Sequence, residues 1–127
     1  RQRQMCIRDR TYRGLLDQAR QANPALKIVL CTPFAAPCGK IVEGALGEYY
    51  PLRQRILAQC CVIVERIAAD YGATLVPFHR LIADLETRLP NGDATYWVWD
   101  GIHPTPAGQR LMADCWIGAA ARNGVME

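Results

Sequence analysis

Two short apolar runs on either side of one long amphipathic segment constrain the fold of this chain more than any other feature. The runs, residues 26–31 and 73–78, have the length and composition of strands buried on both faces. Between them, apolar residues recur at helical spacing from residue 51 until Gly72 ends the pattern. A strand, a helix and a second strand form a βαβ unit, whose strands are parallel and whose crossover is right-handed. The chain is therefore predicted to be an α/β protein.

Three further helices and one long loop complete the predicted layout. The helices cover residues 11–22, 79–89 and 106–121, because each segment carries an apolar stripe at helical spacing. A Pro-Asn-Gly sequence at residues 90–92 ends the second of them. Residues 32–50 contain several prolines and glycines and show little periodicity, so we expect a loop. In open α/β sheets the active site lies at the carboxyl ends of the strands, where this loop begins.

An acid three residues before a histidine is the strongest chemical signal in the sequence. Gly101 lies between Asp100 and His103 and gives the backbone more conformational freedom there. Pro104 favours an extended conformation at His103. Thr105 is a suitable cap for the helix that follows. A carboxylate on such a short loop can accept the imidazole Nδ1–H, which fixes the tautomer and leaves Nε2 available as a general base. Asp100 and His103 are therefore the candidate catalytic residues.

The string that contains these two residues resembles the last sequence block of the SGNH hydrolases, the GDSL-type lipases and esterases. The matching residues are Asp-Gly-Ile-His-Pro-Thr-Pro-Ala-Gly at positions 100–108. Upstream, residues 12–21 and 23–34 are similar to the family's penultimate helix and strand, so the resemblance covers residues 11–121. It does not extend to the family's Gly-Asp-Ser nucleophile block, its oxyanion glycine or its Gly-x-Asn-Asp block. The chain contains no serine.

The resemblance implies both a fold and a reaction. The fold is part of a three-layer α/β/α, flavodoxin-like SGNH domain with parallel strands and crossover helices. The reaction is cleavage of carboxylic or acetyl esters, of small molecules or carbohydrates, through an acyl-enzyme. In it, His103 takes the proton of a serine that this chain lacks, and Asp100 orients the imidazole. We therefore expect residues 11–127 to be the C-terminal part of a single SGNH domain that is inactive by itself.

Basic charge is concentrated at the start of the chain. Residues 1–10 carry four arginines and one aspartate, which accounts for the whole net charge of +3. They show no helix or strand period and do not begin with methionine, so we expect a non-native or disordered head rather than a nucleic-acid or membrane patch. No apolar run approaches the ~20 residues that a membrane-spanning helix requires.

The cysteines of the chain, six in all, are predicted to be reduced. Most of them fall on predicted helices or strands, where cysteine acts as a small hydrophobic residue. Cys31 and Cys38 flank a proline-rich stretch and form the one pair that we consider for a disulfide. Reduced thiols favour an intracellular compartment. Because the sequence has neither a Cys-x-x-Cys motif nor a glycine-rich phosphate loop, it implies no zinc site and no nucleotide cofactor.

A few other side chains have a structural as well as a functional interpretation. Tyr96, Trp97 and Trp99 precede the Asp-x-x-His motif, and are expected either to pack in the core or at the rim, or to wall an acyl or sugar pocket. His79 follows the second predicted strand and is expected to be a structural or surface histidine.

Other classes of function are kept as alternatives. The chain could be a non-catalytic α/β module that binds a partner through an open sheet edge or through the basic head. Asp100 and His103 could instead belong to a metal-dependent hydrolase, which needs further ligands besides His79. Cys38 is the least unsuitable cysteine for a thiol hydrolase that uses His103.

Overall fold

A two-stranded parallel sheet with helices packed around it forms the fold. The computed structural model describes residues 2–88 and 93–126, with side chains from Ile7 onward. In chain order the elements are α1 (Gln2–Ala22), β1 (Val29–Cys31), a 3₁₀ turn (Gly39–Val42), α2 (Gly44–Glu48), α3 (Tyr50–Tyr71), β2 (Thr74–Val76), α4 (Phe78–Arg88) and α5 (Pro106–Arg122).

The sheet confirms the predicted α/β class. β1 and β2 pair in parallel, with Val29 opposite Thr74 and the following residues in register. Backbone bonds from Thr74 N to Ile28 O (2.9 Å) and from Thr32 N to Val76 O (3.0 Å) extend the ladder at both ends. α3 connects the two strands and packs against both of them, as a crossover helix does.

The main hydrophobic core lies between the sheet and the helices α1 and α3. Leu30 of β1 is 4% exposed, and Ile67 and Ala68 of α3 pack with it at 0% and 3% exposure. Tyr12 and Leu16 of α1 cover the same cluster. The residues of β1 on either side of Leu30 are only half-buried, so the expectation that this strand is buried on both faces is wrong. Within the described residues β1 has one neighbouring strand, which leaves part of its surface uncovered.

α3 begins and ends where the sequence predicts. Pro51 lies in its first turn, where the missing N–H of proline leaves no hydrogen bond unmade. Gly72 adopts a left-handed φ of 57°, which glycine reaches without strain. The N–H groups of Gly72 and Ala73 then bond back to Ala69 O (3.3 Å) and Ala68 O (2.8 Å) and close the helix.

α1 is longer than the apolar pattern predicts, because it begins at Gln2 rather than near residue 11. The expectation that the head lacks regular structure is therefore wrong for residues 2–10. Arginine, glutamine and methionine favour helices, so this segment extends α1 without an apolar stripe. Ion pairs join Arg13 to Asp9 (2.8 Å) one turn earlier and to Asp70 (2.8 Å) on α3. The separate expectation that the head is not native stays a prediction.

The segment predicted as one long loop contains regular turns. Gly39–Val42 forms the 3₁₀ turn, and Gly44–Glu48 forms α2 directly before α3. Gly39 and Gly44 have positive φ angles of 62° and 50°, so they let the backbone reverse at the start of each turn. Helical periodicity could not reveal these elements, because each of them is shorter than two helical turns.

A second hydrophobic cluster lies beside α4. Ile82 packs there with four residues from two distant parts of the chain, namely Ala36, Cys38, Ala94 and Val98. The cluster therefore brings the loop after β1 next to the segment that leads to Asp100. α4 is described as far as Arg88, and its predicted end at residues 89–92 lies outside the described residues.

α5 begins at Pro106, as predicted, and packs against β2 and α4. Its buried residues are small, namely Gly108, Ala119 and Ala120, which allows close contact with the rest of the fold. Taking residues 2–88 and 93–126 together, none of the helices combines the length and the apolar character needed to cross a bilayer.

Candidate active site

A closed loop holds Asp100 and His103 at its tip. Val98 and Pro104 form an isolated antiparallel bridge. The backbone N–H of Trp99 donates to His103 O (3.2 Å), so the chain reverses between these residues. We refer to residues 97–105 as the Asp/His loop.

The carboxylate of Asp100 binds His103 through both of its oxygens. Oδ1 accepts the backbone N–H groups of Ile102 (3.0 Å) and His103 (2.8 Å). Oδ2 lies 2.7 Å from Nδ1 of the His103 ring. The Asp100 side chain is 14% exposed, whereas that of His103 is 68% exposed. The structure thus brings together the two residues that the sequence pairs, with the acid sheltered and the imidazole open to solvent.

These hydrogen bonds set the charge of the acid and the tautomer of the ring. Donation from the backbone N–H and then the ring of His103 lowers the pKa of Asp100 to about 2. The carboxylate is therefore ionised at neutral pH and can only accept hydrogen bonds, so Nδ1 carries the proton of the neutral imidazole. Nε2 then holds the lone pair, and it has no hydrogen-bond partner in the described part of the chain.

The Asp/His loop packs tightly against residues 36–41, which we refer to as the support loop. Ala36 N donates to Gly101 O (2.9 Å). A Cβ on Gly101 would lie 2.7 Å and 2.8 Å from two carbonyl oxygens of the support loop. A Cβ on Gly39 would lie 2.6 Å from the Cα of Asp100. Both residues also have positive φ, of 88° and 62°, so each position requires glycine.

The support loop is the part of the site that sequence reasoning missed. Cys38 belongs to it, is 5% exposed and donates its thiol to Val98 O (3.0 Å). Burial raises the pKa of that thiol, so the thiolate that a cysteine nucleophile needs is disfavoured. The available sequence signal was the Pro-Cys-Gly run at residues 37–39, because proline and glycine mark places where the backbone turns and can approach another segment closely. Because the support loop follows β1, the Asp/His loop that packs against it lies at the carboxyl edge of the sheet.

Thr105 joins the Asp/His loop to α5. Its hydroxyl accepts from Gly108 N (3.1 Å), which is the predicted capping bond. The same hydroxyl donates to Tyr96 O (2.6 Å), and its backbone N–H donates to Trp97 O (2.9 Å). One side chain therefore caps the helix and closes the base of the loop.

The three aromatic residues before the motif take two different positions. Trp99 is 54% exposed, and its ring is nearly parallel to the His103 ring, with centroids 6.2 Å apart and an interplanar angle of 26°. Tyr96 and Trp97 instead pack edge to face, with centroids 4.8 Å apart. Trp97 also contacts the second hydrophobic cluster. Of the three, Trp99 is the one beside the imidazole.

His79 lies apart from the Asp/His loop. Its Nδ1 lies 2.7 Å from the hydroxyl of Thr32, which is 2% exposed. Its Nε2 is 3.6 Å from the carboxylate of Glu65. Burial lowers the pKa of His79, which favours the neutral ring. These contacts fit the structural interpretation of this histidine.

The described cysteines and acidic residues form neither a disulfide nor a metal site. All five described cysteines are free thiols, so Cys31 and Cys38 are not bridged. Burial raises the pKa of Cys31, as it does for Cys38. Among residues 2–88 and 93–126, no group of three or more His, Cys, Asp or Glu side chains is arranged to hold a metal ion.

Fold and site together define a class, the α/β proteins that carry a carboxylate–imidazole pair at the carboxyl edge of parallel strands. Residues 2–111 match the model of the GDSL-like lipase/acylhydrolase family. The chain belongs to this family. The match includes residues 2–10 as well as the segment that carries Asp100 and His103.

A solved structure provides a second comparison. The chain is similar to a protein from Parabacteroides merdae ATCC 43184 that is assigned as a GDSL-like lipase, with a TM-score of 0.73 and 28% sequence identity. The alignment covers 89% of this chain and 48% of that protein, so the chain spans about half the length of this relative. No curated protein matches the chain.

Proposed function

We propose that Asp100 and His103 are the acid and the base of a Ser-His-Asp ester hydrolase, and that this chain supplies them without the nucleophile. The observation that carries the proposal is the 2.7 Å contact between Asp100 Oδ2 and Nδ1 of His103, whose side chain is 68% exposed. Membership of a lipase/acylhydrolase family supports hydrolysis as the reaction. Ester substrates of small molecules or carbohydrates are part of the proposal.

The geometry supports a proposed role for each residue in acyl transfer. A serine hydroxyl placed at His103 Nε2 would give its proton to the ring as its oxygen attacks the ester carbonyl. The Asp100 carboxylate stabilises the imidazolium that forms, and its backbone bonds hold it in place meanwhile. The imidazolium then protonates the leaving alcohol. Water then attacks the acyl-enzyme with the same proton transfers through His103, which releases the acid and restores the serine.

Trp99 supports the proposal that the surface beside His103 contacts the substrate. Trp99 is 54% exposed and its indole ring lies next to the imidazole, so the residue offers apolar surface to an acyl group or a sugar ring. A substrate that rests on this face brings its carbonyl close to His103.

The missing nucleophile determines what the chain does alone. The chain contains no serine, and the Cys38 thiol is buried and bonded to Val98 O. Members of a catalytic triad act as a unit, and the loss of one of them lowers the rate by about three to six powers of ten. We therefore expect the 127-residue chain to hydrolyse p-nitrophenyl acetate no faster than free imidazole does.

The decisive experiment supplies the part that this chain lacks. The 127-residue chain replaces the matching part of the Parabacteroides merdae protein, and the chimera is assayed on p-nitrophenyl acetate after that protein itself is shown to cleave the ester. We expect turnover by the chimera, and a loss of about three powers of ten or more in His103→Ala and Asp100→Asn. Asp84→Asn, an exposed change on α4, is the matched control and keeps the activity.

Two results of this experiment argue against the proposal. Turnover by the chimera that survives His103→Ala assigns the base to another residue. Turnover by the unmodified 127-residue chain that is lost in His103→Ala places a nucleophile within the chain itself.

A further inference from the structure

A cleft separate from the Asp/His loop opens between α3, α4 and the residues that follow β1. We refer to it as the lateral cleft, and its volume is about 400 Å³. Its walls include Phe34 and Pro37 from the loop after β1, Leu57 from α3 and Ala83 from α4. This volume falls within the range of about 300–1,000 Å³ that is typical of small-molecule sites. The lateral cleft is therefore large enough for a small organic ligand and mostly apolar.

The charge in the lateral cleft comes from Glu86. This carboxylate is half-buried, and no hydrogen bond or ion pair satisfies it in the described part of the chain. Among the described residues that line the cleft there is no lysine or arginine, and burial lowers the pKa of the histidine found there, His79. Burial in these apolar surroundings raises the pKa of Glu86, because its charged form loses solvation there. A bound cation would recover the solvation that the carboxylate loses there.

Two aromatic rings complete the chemistry of the lateral cleft. Phe34 and Tyr50 both line it, and the Gln54 side-chain amide donates to the Tyr50 hydroxyl and to Ala35 O (3.2 Å). Tyr50 and Glu86 line the same cleft, so the carboxylate lies in the neighbourhood of this ring. Aromatic faces next to a carboxylate are the features that proteins use to bind organic ammonium ions.

We propose that the lateral cleft binds a small organic ammonium compound, with Glu86 as its counter-ion and with Phe34 and Tyr50 in contact with its apolar part. An anion is disfavoured by Glu86, and a neutral ligand leaves that carboxylate unpaired. Neither Asp100 nor His103 lines the lateral cleft, so the proposal does not depend on the proposed hydrolase function.

Isothermal titration calorimetry on the 127-residue chain tests this site with two matched probes. 2-Phenylethylamine carries a positive charge at neutral pH, and 2-phenylethanol is its neutral counterpart of nearly the same shape. We expect the amine to bind about tenfold more tightly than the alcohol, and Glu86→Gln to remove about the same factor for the amine alone. Asp84→Asn removes a charge from an exposed position of the same helix and leaves both affinities unchanged.

The comparison of the two probes on the unmodified chain needs no variant to fold, and circular dichroism checks that Glu86→Gln keeps its helices. Binding of the amine that is lost in Glu86→Gln and retained in Asp84→Asn supports the proposal. Equal binding of the alcohol, undiminished binding of the amine to Glu86→Gln, or no binding of the amine each overturns it.

Discussion

Alanine at Gly101 tests the tight contact between the two loops most directly. At a φ of 88°, a residue with a Cβ carries a backbone cost of about 1–2 kcal/mol. The added Cβ would also lie 2.7 Å from Cys38 O and 2.8 Å from Ala36 O. Backbone carbonyls cannot turn aside as the ends of side chains can, so this overpacking costs a further ~1–3 kcal/mol. We expect Gly101→Ala to lower the free energy of unfolding by about 2–5 kcal/mol and to disturb the Asp100–His103 contact.

Other glycines of the same chain separate the two costs. Gly44 and Gly72 have φ angles of 50° and 57°. Apart from their own chain neighbours, no atom of the described residues lies within 4 Å of the position that a Cβ would take, so alanine there carries the backbone cost alone, about 1 kcal/mol. Gly14 lies inside α1 with no positive φ and with the same open space. Alanine at Gly14 should therefore stabilise the helix by up to about 1 kcal/mol. One chemical change thus has three distinct expected results.

Urea unfolding monitored by tryptophan fluorescence measures these differences, because Trp97 and Trp99 lie in the Asp/His loop itself. If Gly101→Ala costs no more than Gly44→Ala, the two loops do not approach each other as described, and the explanation of how the site is held fails. A cost at Gly101 that exceeds the cost at Gly44 by about 1 kcal/mol or more supports it.

Three other predictions concern the same region. Thr105→Ala removes the hydroxyl that caps α5, so the free energy of unfolding measured in urea should fall by about 1–2 kcal/mol. Thr105→Ser keeps a hydroxyl and should retain most of the stability. Equal losses in both variants contradict the capping role. The folded pKa of Asp100, about 2, lies below its ordinary value of 3.8. The stabilisation from its ionised form is therefore complete above pH 3.8 and is lost as the pH falls through about 2. Because Asp100 contacts the His103 ring, the NMR signals of that ring should change near pH 2. A change centred near pH 4 argues against the Asp100–His103 contact. Because the Cys38 thiol is buried and its pKa is raised, Ellman's reagent should modify it far more slowly in the native chain than in urea, and rapid native modification contradicts its burial.

Helix boundaries were predictable where a residue marks them chemically. Pro51 and Gly72 bound α3, and Thr105 and Pro106 begin α5, because caps and turns depend on local backbone chemistry. The start of α1 at Gln2 was not predictable in this way. Apolar periodicity reports which residues face a core, and a helix that continues beyond the core shows no such stripe.

In the candidate site, too, the local contacts could be predicted from the sequence and the long-range contacts could not. Asp100 and His103 are three residues apart, so their pairing follows from one short loop and could be proposed from the sequence. The support loop could not be assigned to them, since Cys38 and Val98 are 60 positions apart and no local pattern joins them. His79 likewise gave no sequence sign of its contact with Thr32, 47 positions away.

The long sequence separation between the support loop and the Asp/His loop also has a kinetic consequence. A contact that closes 60 residues of chain forms after the local helices, because the entropy cost of closing the loop must be met before the contact can stabilise the chain. Changes at Gly39 and Gly101 should therefore accelerate unfolding more than they slow folding. During refolding, helical signal would return first and the Asp100–His103 geometry last. A partly opened chain would then keep most of its helix content after the imidazole has lost its orientation.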